Sequence, residues 1–528
     1  MKNICLIRPP ATYKYMDLNV TEDPIITMLI YAIQQAGGIR YTVFDFHLER
    51  ELTVDHIANR KFDYYIIIAR ETGETIHYVK RIYNDLKNRV NNIKSIVLYG
   101  QVARNKFFKE ADIKESSVIH NETILLDLVV GAKNEQISHF EEMESVPYFE
   151  RINIDKHRLK IFKAAIETSR GCQFGCKFCF INQGINYSAR WTVRSVHRVL
   201  SDVKKYYDLG VRDYVFHESE FLGKNPSDYQ HRLTLLNALI DQFPGIRYQI
   251  YCRADTLLKF DQFELLKASG LFQVFIGVES LDQSDLDSLN KGLLVEDTIR
   301  CVRKLHELDV YTSLSFILFN RNTSVSTLST TLDKLEELIS YKPWLCGVPI
   351  FTFSFESNWR DKSKFERAPL SKTTYVTQDL LQKEQPIEDQ IFDSNLEALM
   401  EMYRVLSYEW NKKVVTLNNY RGNFSVNDQE CVRKWFAFLP IFCLHEMKLH
   451  LNDFKNGELT VDRDNLARAR KGLFNRFSEF NEILPSEYRY LETREAHGSK
   501  LAHYKAGGVI EVDEYWSKNI AMHECSVI

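Results

Sequence analysis

The sequence predicts an α/β protein with an amino-terminal Rossmann/flavodoxin-like doubly wound parallel sheet, a central partial β/α (TIM-like) barrel and a mainly helical carboxyl-terminal domain. Short apolar runs alternate with amphipathic stretches up to about residue 345, and strand-like runs become rare beyond it. A chain of 528 residues also exceeds what one hydrophobic core accommodates. The predicted parts are 1–135, a connector at 136–162, 163–345 and 346–528.

The first part begins with a buried strand at residues 3–7, which Pro9 and Pro10 end. A helix carrying Leu29, Ala32 and Ile33 then stops at two glycines. The alternation continues with strands at 41–44, 64–69 and 95–100 and an amphipathic helix at 76–90. This order predicts a parallel, doubly wound sheet whose ligands bind at the carboxyl ends of its strands.

The second part repeats the alternation with spacing typical of a β/α barrel. The candidate strands are 164–167, 213–216, 248–251, 272–276 and 313–318. Helical patterns cover 395–408, 431–448 and 465–484 in the third part.

Composition excludes several classes of protein. The net charge of −3 indicates neither a nucleic-acid nor an anionic-membrane partner. We find no long uncharged apolar stretch and no basic-then-apolar leader, so the cytoplasm is the expected compartment. Ten cysteines are too sparse for a disulfide scaffold, yet three of them lie within eight positions.

These three cysteines, Cys172, Cys176 and Cys179, follow the first strand of the predicted barrel, where barrel active sites lie. Thiolates hold both iron–sulfur clusters and zinc, and these spacings let a short loop reach three corners of a cubane cluster. A zinc site normally takes a fourth nearby ligand, and the closest histidine is His197. The pattern therefore favours an iron–sulfur site over zinc or three core thiols.

The CxxxCxxC spacing, with Phe178 before its last cysteine, resembles the radical S-adenosylmethionine (SAM) superfamily. The resemblance extends to further stretches: 191–195, 216–221, 252–255, 277–282 and 289–292. It implies a [4Fe–4S] cluster whose open iron chelates SAM, and an electron that splits SAM into methionine and a 5′-deoxyadenosyl radical. An electron donor such as a flavodoxin or ferredoxin is implied as well.

The resemblance also implies contacts with SAM. Glu220 and Glu279 are expected to accept hydrogen bonds from the ribose hydroxyls or the ammonium group, and Arg253 to engage the SAM carboxylate. Phe178 is expected to seat the adenine. The competing interpretation for each carboxylate is a solvated strand end or an internal ion pair, and for His217 a structural role.

One stretch departs from the family pattern. Leu318 and Asn320 stand where relatives usually have a glycine and a Pro-Gly turn. The adenine-side wall is therefore expected to be built differently.

The amino-terminal part resembles the cobalamin-binding domain of one large radical SAM class through Pro9-Pro10, 36–38 and 97–100. This implies bound cobalamin, with Tyr99, Gly100 and Gln101 in the reduced counterpart of a Gly-Gly loop. The turn at 120–123 lacks the family's glycines, so a domain that kept the fold and lost its ligand is the alternative. His47 follows the second strand instead of the first, which favours a surface strand end over a cobalt ligand.

The leading hypothesis is a cobalamin-dependent C-methyltransferase acting on an unactivated carbon of a specialised metabolite or peptide. A non-methylating radical SAM enzyme catalysing epimerisation, dehydration or rearrangement is the first alternative, and a scaffold with a structural cluster is the second. The His445–His450 stretch has one residue too many for HExxH and is interpreted as an ordinary helix. The tail residues 523–525 are interpreted as a frayed terminus.

Overall fold

The computed structural model contains two parallel sheets flanked by helices. The residues that it describes are 2–9, 24–46, 52–68, 75–90, 96–99, 118–119, 122–131, 163–176, 191–208, 210–216, 218–320, 323–342, 345–347, 350–351, 396, 398–400, 402–403, 406, 426–483, 503–505 and 508–510.

The first sheet is five-stranded and parallel, with strand order β2-β1-β3-β4-β5. Its strands are β1 (Lys2–Arg8), β2 (Ile39–Asp45), β3 (Tyr64–Ile68), β4 (Ile96–Tyr99) and β5 (Val118–Ile119), with helices α1 (Pro24–Ala36), α2 (Val54–Ala58), α3 (Thr75–Lys87) and α4 (Glu122–Val130). Alternate β1 residues enter two separate cores, Ile4 and Leu6 on one face and Cys5 and Ile7 on the other. Both faces are thus covered, which confirms the predicted doubly wound sheet.

The second sheet is also parallel, with the path β13-β12-β11-β10-β9-β6 and β14 paired to β12. Its strands are β6 (Lys163–Ile166), β9 (Asp213–Phe216), β10 (Arg247–Cys252), β11 (Leu271–Glu279), β12 (Tyr311–Ile317), β13 (Cys346–Gly347) and β14 (Ile350–Phe351). The helices between them are α5 (Val196–Asp208), α6 (Pro226–Gln242), α7 (Ala254–Phe260), α8 (Phe263–Ala268), α9 (Gln283–Ser288), α10 (Val295–Glu307) and α11 (Val325–Tyr341). The edge strands β6 and β13 are not paired to each other in the described residues, so this is the predicted partial barrel.

Short paired strands supplement the predicted elements. β7 (Ser169–Arg170) pairs antiparallel with β8 (Thr192–Val193), so the chain between them, which carries the cysteines, leaves and returns at one place. β15 (His503–Lys505) and β16 (Gly508–Ile510) form a second antiparallel pair.

Two long helices dominate the described carboxyl-terminal part, α12 (Val426–Lys455) and α13 (Arg463–Ile483). α12 packs on α11 of the barrel, where the Lys448 ammonium contacts Glu336 at 2.6 Å and Asp333 at 2.8 Å. Its inner residues join the barrel core, so barrel and helices share one hydrophobic cluster. None of the described helices combines the length and apolar character that crossing a bilayer requires.

The two predicted parallel sheets are confirmed, and the described residues of the third part are mainly helical. The predicted boundaries at 135, 162 and 345 remain predictions, because 132–162 and 343–344 lie outside the described residues.

Candidate active site

The predicted cysteine loop begins at the carboxyl end of β6, on the edge of the sheet where β9, β10 and β11 also end. Gly171 opens it with a φ of +81°, a conformation that favours glycine. Cys172 is half-buried and Cys176 is buried, and neither forms a disulfide bond within the described residues. Cys179 and Phe178 lie outside the described residues. The first two predicted ligands therefore lie in one loop at this edge of the sheet.

The turn after α9 holds this loop in place. Asn290 donates from Nδ2 to the carbonyl oxygen of Gly175 at 2.8 Å. Asn290 and Gly292 both have positive φ, +51° and +60°, which asparagine and glycine tolerate better than other residues. The 289–292 stretch, one of those that resemble the family, thus has a local physical role. Its tight turn directs the Asn290 side-chain amide at the cysteine loop.

Arg253, at the end of β10, connects the turn to the cysteines. Its Nη1 lies 3.6 Å from the Sγ of Cys176, within hydrogen-bonding range for sulfur. Its Nη2 donates to the carbonyl oxygens of Lys291 at 2.8 Å and Gly292 at 3.3 Å. Nε donates to Asp255 at 2.9 Å. These bonds engage four of its five N–H groups.

Glu279 lies at the end of β11 beside the same turn. The Lys291 ammonium donates to its Oε1 at 2.7 Å, and both side chains are buried. Glu279 has a φ of +67°, and the register between β11 and β12 shifts between Gly277 and Glu279. A Cβ at position 277 would lie 2.6 Å from Glu279 Oε1 and 2.8 Å from Lys291 Nζ, so a larger residue there would force the ion pair to shift. Within the described structure, no group hydrogen-bonds Glu279 Oε2.

Glu220 is almost wholly buried, and its carboxylate ties the end of β9 to that of β10. Oε1 accepts from Thr256 Oγ1 at 2.9 Å, Cys252 Sγ at 3.0 Å and the Leu222 backbone at 3.3 Å, and Oε2 accepts from the Arg253 backbone at 3.0 Å. Burial raises the pKa of Glu220 to about 7, against the lowering effect of these hydrogen bonds. Its carboxylate thus connects strand ends through hydrogen bonds to neutral groups, an arrangement that is neither the solvated strand end nor the internal ion pair of the competing interpretation.

Glu218 is a second buried carboxyl in this region and was not among the predicted site residues. Its Oε2 accepts from Thr168 Oγ1 at 2.5 Å, and no described group bonds Oε1. Burial raises its pKa to about 8 although the Arg232 charge favours the ionised form. The signal lay in the acidic stretch 216–221, from which sequence reasoning singled out Glu220. Glu218 was passed over because its burial is not visible in the sequence.

Arg232 is fully buried and interacts electrostatically with both Glu218 and Glu220. Its Nε donates to the Phe221 carbonyl at 2.6 Å, and its guanidinium lies 4.4 Å from the centre of the Phe221 ring. Burial lowers its pKa to about 10. Arg232 therefore supplies positive charge to a region with two buried glutamates.

The expected departure after the fifth strand takes a specific form. Thr323 Oγ1 accepts from the Asn320 backbone at 2.7 Å and donates to the Leu318 carbonyl at 3.2 Å. A threonine side chain thus closes the turn where relatives usually have Pro-Gly.

The predicted cobalamin site lies where β1, β3, β4 and β5 end. Tyr99 is the last residue of β4, whereas Gly100, Gln101 and His47 lie outside the described residues, as does His217 of the barrel. In this sheet the connections reverse direction between β1 and β3, the position at which open α/β sheets bind ligands.

The remaining histidine stretch lies within α12. His445 is exposed, whereas His450 is buried near Glu446, which Arg476 binds in a bidentate pair. The two histidines face different surroundings, as expected for an ordinary helix. The tail 523–525 lies outside the described residues. A group of three or more residues suited to holding a metal does not occur in the part of the chain that is described, which leaves out Cys179.

Comparison with known proteins matches residues 166–357 to the family model of the radical SAM superfamily. An uncharacterized methyltransferase of Pyrococcus horikoshii is 21% identical over 252 residues, 45% of this chain and 53% of that protein. The 4′-phospho-dehydrooxetanocin synthase of Priestia megaterium is 22% identical over 341 residues, 56% of this chain and 45% of that protein. The matches thus span about half the length of these relatives.

Two solved structures have a similar fold. One is the cobalamin-dependent SAM radical enzyme OxsB, solved with aqua-cobalamin and SAM. The match covers 100% of this chain and 84% of the OxsB chain, with a TM-score of 0.57 at 15% identity. The other is the radical SAM methyltransferase TsrM of Kitasatospora setae, solved with cobalamin and a [4Fe–4S] cluster. The match covers 66% of this chain and 75% of the TsrM chain, with a TM-score of 0.51 at 17% identity. The predicted resemblance to the radical SAM superfamily is confirmed for residues 166–357, and the fold is that of these two enzymes, one named as cobalamin-dependent and the other solved with cobalamin bound.

Proposed function

The chain contains a radical SAM domain, and from this premise we propose that it is a cobalamin-dependent radical SAM C-methyltransferase. In this proposal the substrate is a specialised metabolite or peptide, and the methyl group is added to one of its unactivated carbons. One observation carries the proposal: Cys176, Arg253, Glu279 and the turn at Asn290 converge at the carboxyl edge of the barrel sheet.

The cysteine loop fits an iron–sulfur cluster. Cys172, Cys176 and Cys179 would hold it; the first two form no disulfide bond within the described residues, and the loop between them is fixed at Gly175. Three thiolates leave the fourth iron open, the position at which the superfamily chelates SAM. When bound, the cluster supplies one electron for SAM cleavage, and cobalamin supplies a carrier for the methyl group. The electron would come from a flavodoxin or ferredoxin.

Glu279 is the residue best placed to bind SAM. Lys291 occupies Oε1 and neutralises the carboxylate, while Oε2 remains open to a ligand's ammonium or hydroxyl hydrogens. Glu220 supports the site indirectly in this proposal, because its hydrogen bonds hold the ends of β9 and β10 together.

The amino-terminal sheet would hold cobalamin at its carboxyl edge near Tyr99. Two features support this part of the proposal: the strand order, which creates a ligand position between β1 and β3, and the fold shared with OxsB over the whole chain.

The test is anaerobic purification followed by reconstitution with iron, sulfide and hydroxocobalamin. We expect about four irons per chain, near-stoichiometric cobalt retained through gel filtration, 5′-deoxyadenosine from SAM and S-adenosylhomocysteine as the methyl-transfer product. Cys176→Ala should abolish 5′-deoxyadenosine formation. The matched control is Cys301→Ala, which removes a fully buried thiol of α10 and should leave cleavage intact. Unchanged cleavage by Cys176→Ala would overturn the active-site assignment.

A non-methylating radical reaction is the second candidate, because one of the relatives is named a synthase. It predicts iron and 5′-deoxyadenosine with no S-adenosylhomocysteine. A scaffold with a structural cluster predicts iron with no SAM cleavage at all.

A further inference from the structure

Arg253 contacts the cysteine loop at one of its sulfur atoms. Arg253 is 5% exposed as a residue and Cys176 is 8% exposed, so the Nη1–Sγ contact of 3.6 Å is shielded from water. Charge-assisted hydrogen bonds gain strength in such surroundings.

Several contacts fix the guanidinium in this position. Asp255 binds Nε, two carbonyl oxygens of the Lys291–Gly292 turn bind Nη2, and the Phe174 ring lies 4.0 Å from the guanidinium carbon. Phe174 itself lies in the cysteine loop between Cys172 and Cys176. Turning Arg253 towards another ligand would break these hydrogen bonds and the stacking together.

We infer that Arg253 is a positioning residue that donates a hydrogen bond to the Cys176 sulfur and raises the reduction potential of the cluster bound there. The inference rests on the proposed function only in requiring that Cys176 ligates the cluster. Reduction adds negative charge to the cluster and its sulfurs. A fixed N–H donor and a positive charge at one sulfur therefore stabilise the reduced form more than the oxidised form.

Asp255 opposes this effect. Its carboxylate pairs with Arg253 Nε at 2.9 Å and offsets part of the guanidinium charge at the sulfur. The potential is consequently set by the balance of the two residues, and removing each should shift it in opposite directions. A residue that merely held the loop would not give opposite shifts.

The experiment is an EPR-monitored redox titration, without SAM, of the reconstituted full-length protein and its variants. At a fixed potential, Arg253→Met should lower the ratio of reduced to oxidised cluster about tenfold, which corresponds to about 59 mV for one electron. Asp255→Asn should raise that ratio. Arg253→Lys, which keeps the charge and loses the planar fork, should lie between wild type and Arg253→Met.

The matched control is Arg247→Met. Arg247 lies at the opposite end of the same strand and also pairs with an aspartate, Asp213 at 2.7 Å, so its removal should leave the potential unchanged. If Arg253→Met retains no cluster, Asp255→Asn decides alone, and the absence of an upward shift overturns the inference.

Equal potentials in wild type, Arg253→Met and Asp255→Asn, or shifts of the same sign, would also overturn the inference and leave the proposed function standing. Failure of the wild type to bind iron would instead overturn the proposed function, so the two failures are distinguishable.

Discussion

Asn290 donates a hydrogen bond of 2.8 Å to the carbonyl oxygen of Gly175, so a turn 115 residues further along the chain holds the loop between Cys172 and Cys176. The same turn accepts two hydrogen bonds from Arg253 and supplies Lys291 to Glu279. One short turn therefore sets the positions of the cysteine loop, the guanidinium and the carboxylate relative to one another.

Asn290→Asp should loosen the cysteine loop. Aspartate also tolerates positive φ, but its carboxylate would face the Gly175 carbonyl in place of a donor. We expect a loss of about 1 kcal/mol in loop stability, seen as about fivefold faster release of iron to a chelator. Asn237→Asp is the matched control, because Asn237 donates to the Leu233 carbonyl on the exposed face of α6. Equal release rates in the two variants would show that the turn does not hold the loop.

Gly277→Ala should disrupt the ion pair at the end of β11. The new methyl group would lie 2.6 Å from Glu279 Oε1 and 2.8 Å from Lys291 Nζ, so the pair must shift. A destabilisation of about 1–3 kcal/mol is expected, measured as a change in the urea midpoint of unfolding. The cost should shrink in a Glu279→Ala background, because the nearest clashing atom is then gone.

Gly175→Ala serves as its control, since a Cβ there would lie 3.8 Å from Asn290 Nδ2, an ordinary contact. An equal loss in both glycine variants would count against the steric explanation.

The strands were largely predictable because buried parallel strands leave continuous apolar runs. The second barrel strand was predicted at 213–216 and is observed there. The fourth was predicted to end at Ile276 and continues to Glu279, since a register shift and a positive φ carry the chain past its apolar run. The two-residue strands β7 and β8 were missed, because two residues carry no periodic signal.

The site was predictable in its residue types more than in its contacts. The family resemblance singled out Arg253 and Glu279 at two strand ends, and because parallel strands end together the structure places both at one edge of the sheet. Which acceptor each donor finds depends on residues distant in sequence, such as Arg253 and Cys176, 77 positions apart. The Glu218 carboxyl was likewise not predicted, because it is buried against Thr168 and near the charge of Arg232, and both residues lie on other elements.

Glu218 should make stability fall as the pH rises. Its pKa is about 8 in the folded protein against 4.5 as the ordinary value, because burial disfavours the charge. Between these values the folded state binds a proton that the unfolded state has released, so the free energy of unfolding decreases with pH, by at most about 1.4 kcal/mol per unit. The contribution of Glu218 to the free energy of unfolding is complete below about pH 4.5 and is lost as the pH rises to about 8.

Glu218→Gln mimics the protonated form and should remove this dependence. Urea unfolding at pH 5.5, 6.5 and 7.5 should show the variant gaining stability relative to wild type at each step. Glu220 has a raised pKa too, of about 7, so a smaller slope of the same sign should remain. Glu264→Gln, at an exposed site in the first turn of α8, should run parallel to wild type. Parallel curves for Glu218→Gln as well would rule out a protonated Glu218.

Arg476 should stabilise the packing of α13 on α12. Its guanidinium binds the fully buried Glu446 through Nε at 2.8 Å and Nη2 at 2.8 Å. Arg476→Met would leave this carboxylate without its bidentate partner, and among the described residues His450, at 3.7 Å, is then its remaining ion-pair neighbour. Burial lowers the pKa of His450 to about 4, so the imidazole is neutral at pH 7 and supplies no compensating charge.

We expect Arg476→Met to cost about 2 kcal/mol in the free energy of unfolding, less than a fully buried pair would, because the Arg476 side chain is 35% exposed. Adding Glu446→Gln should recover part of the loss, since the unpaired charge is then removed. Arg468→Met, at an exposed position of the same helix, should change the urea midpoint little. If the double variant is no more stable than Arg476→Met, the loss comes from the packing of the arginine stem, and the ion pair does not stabilise the two helices.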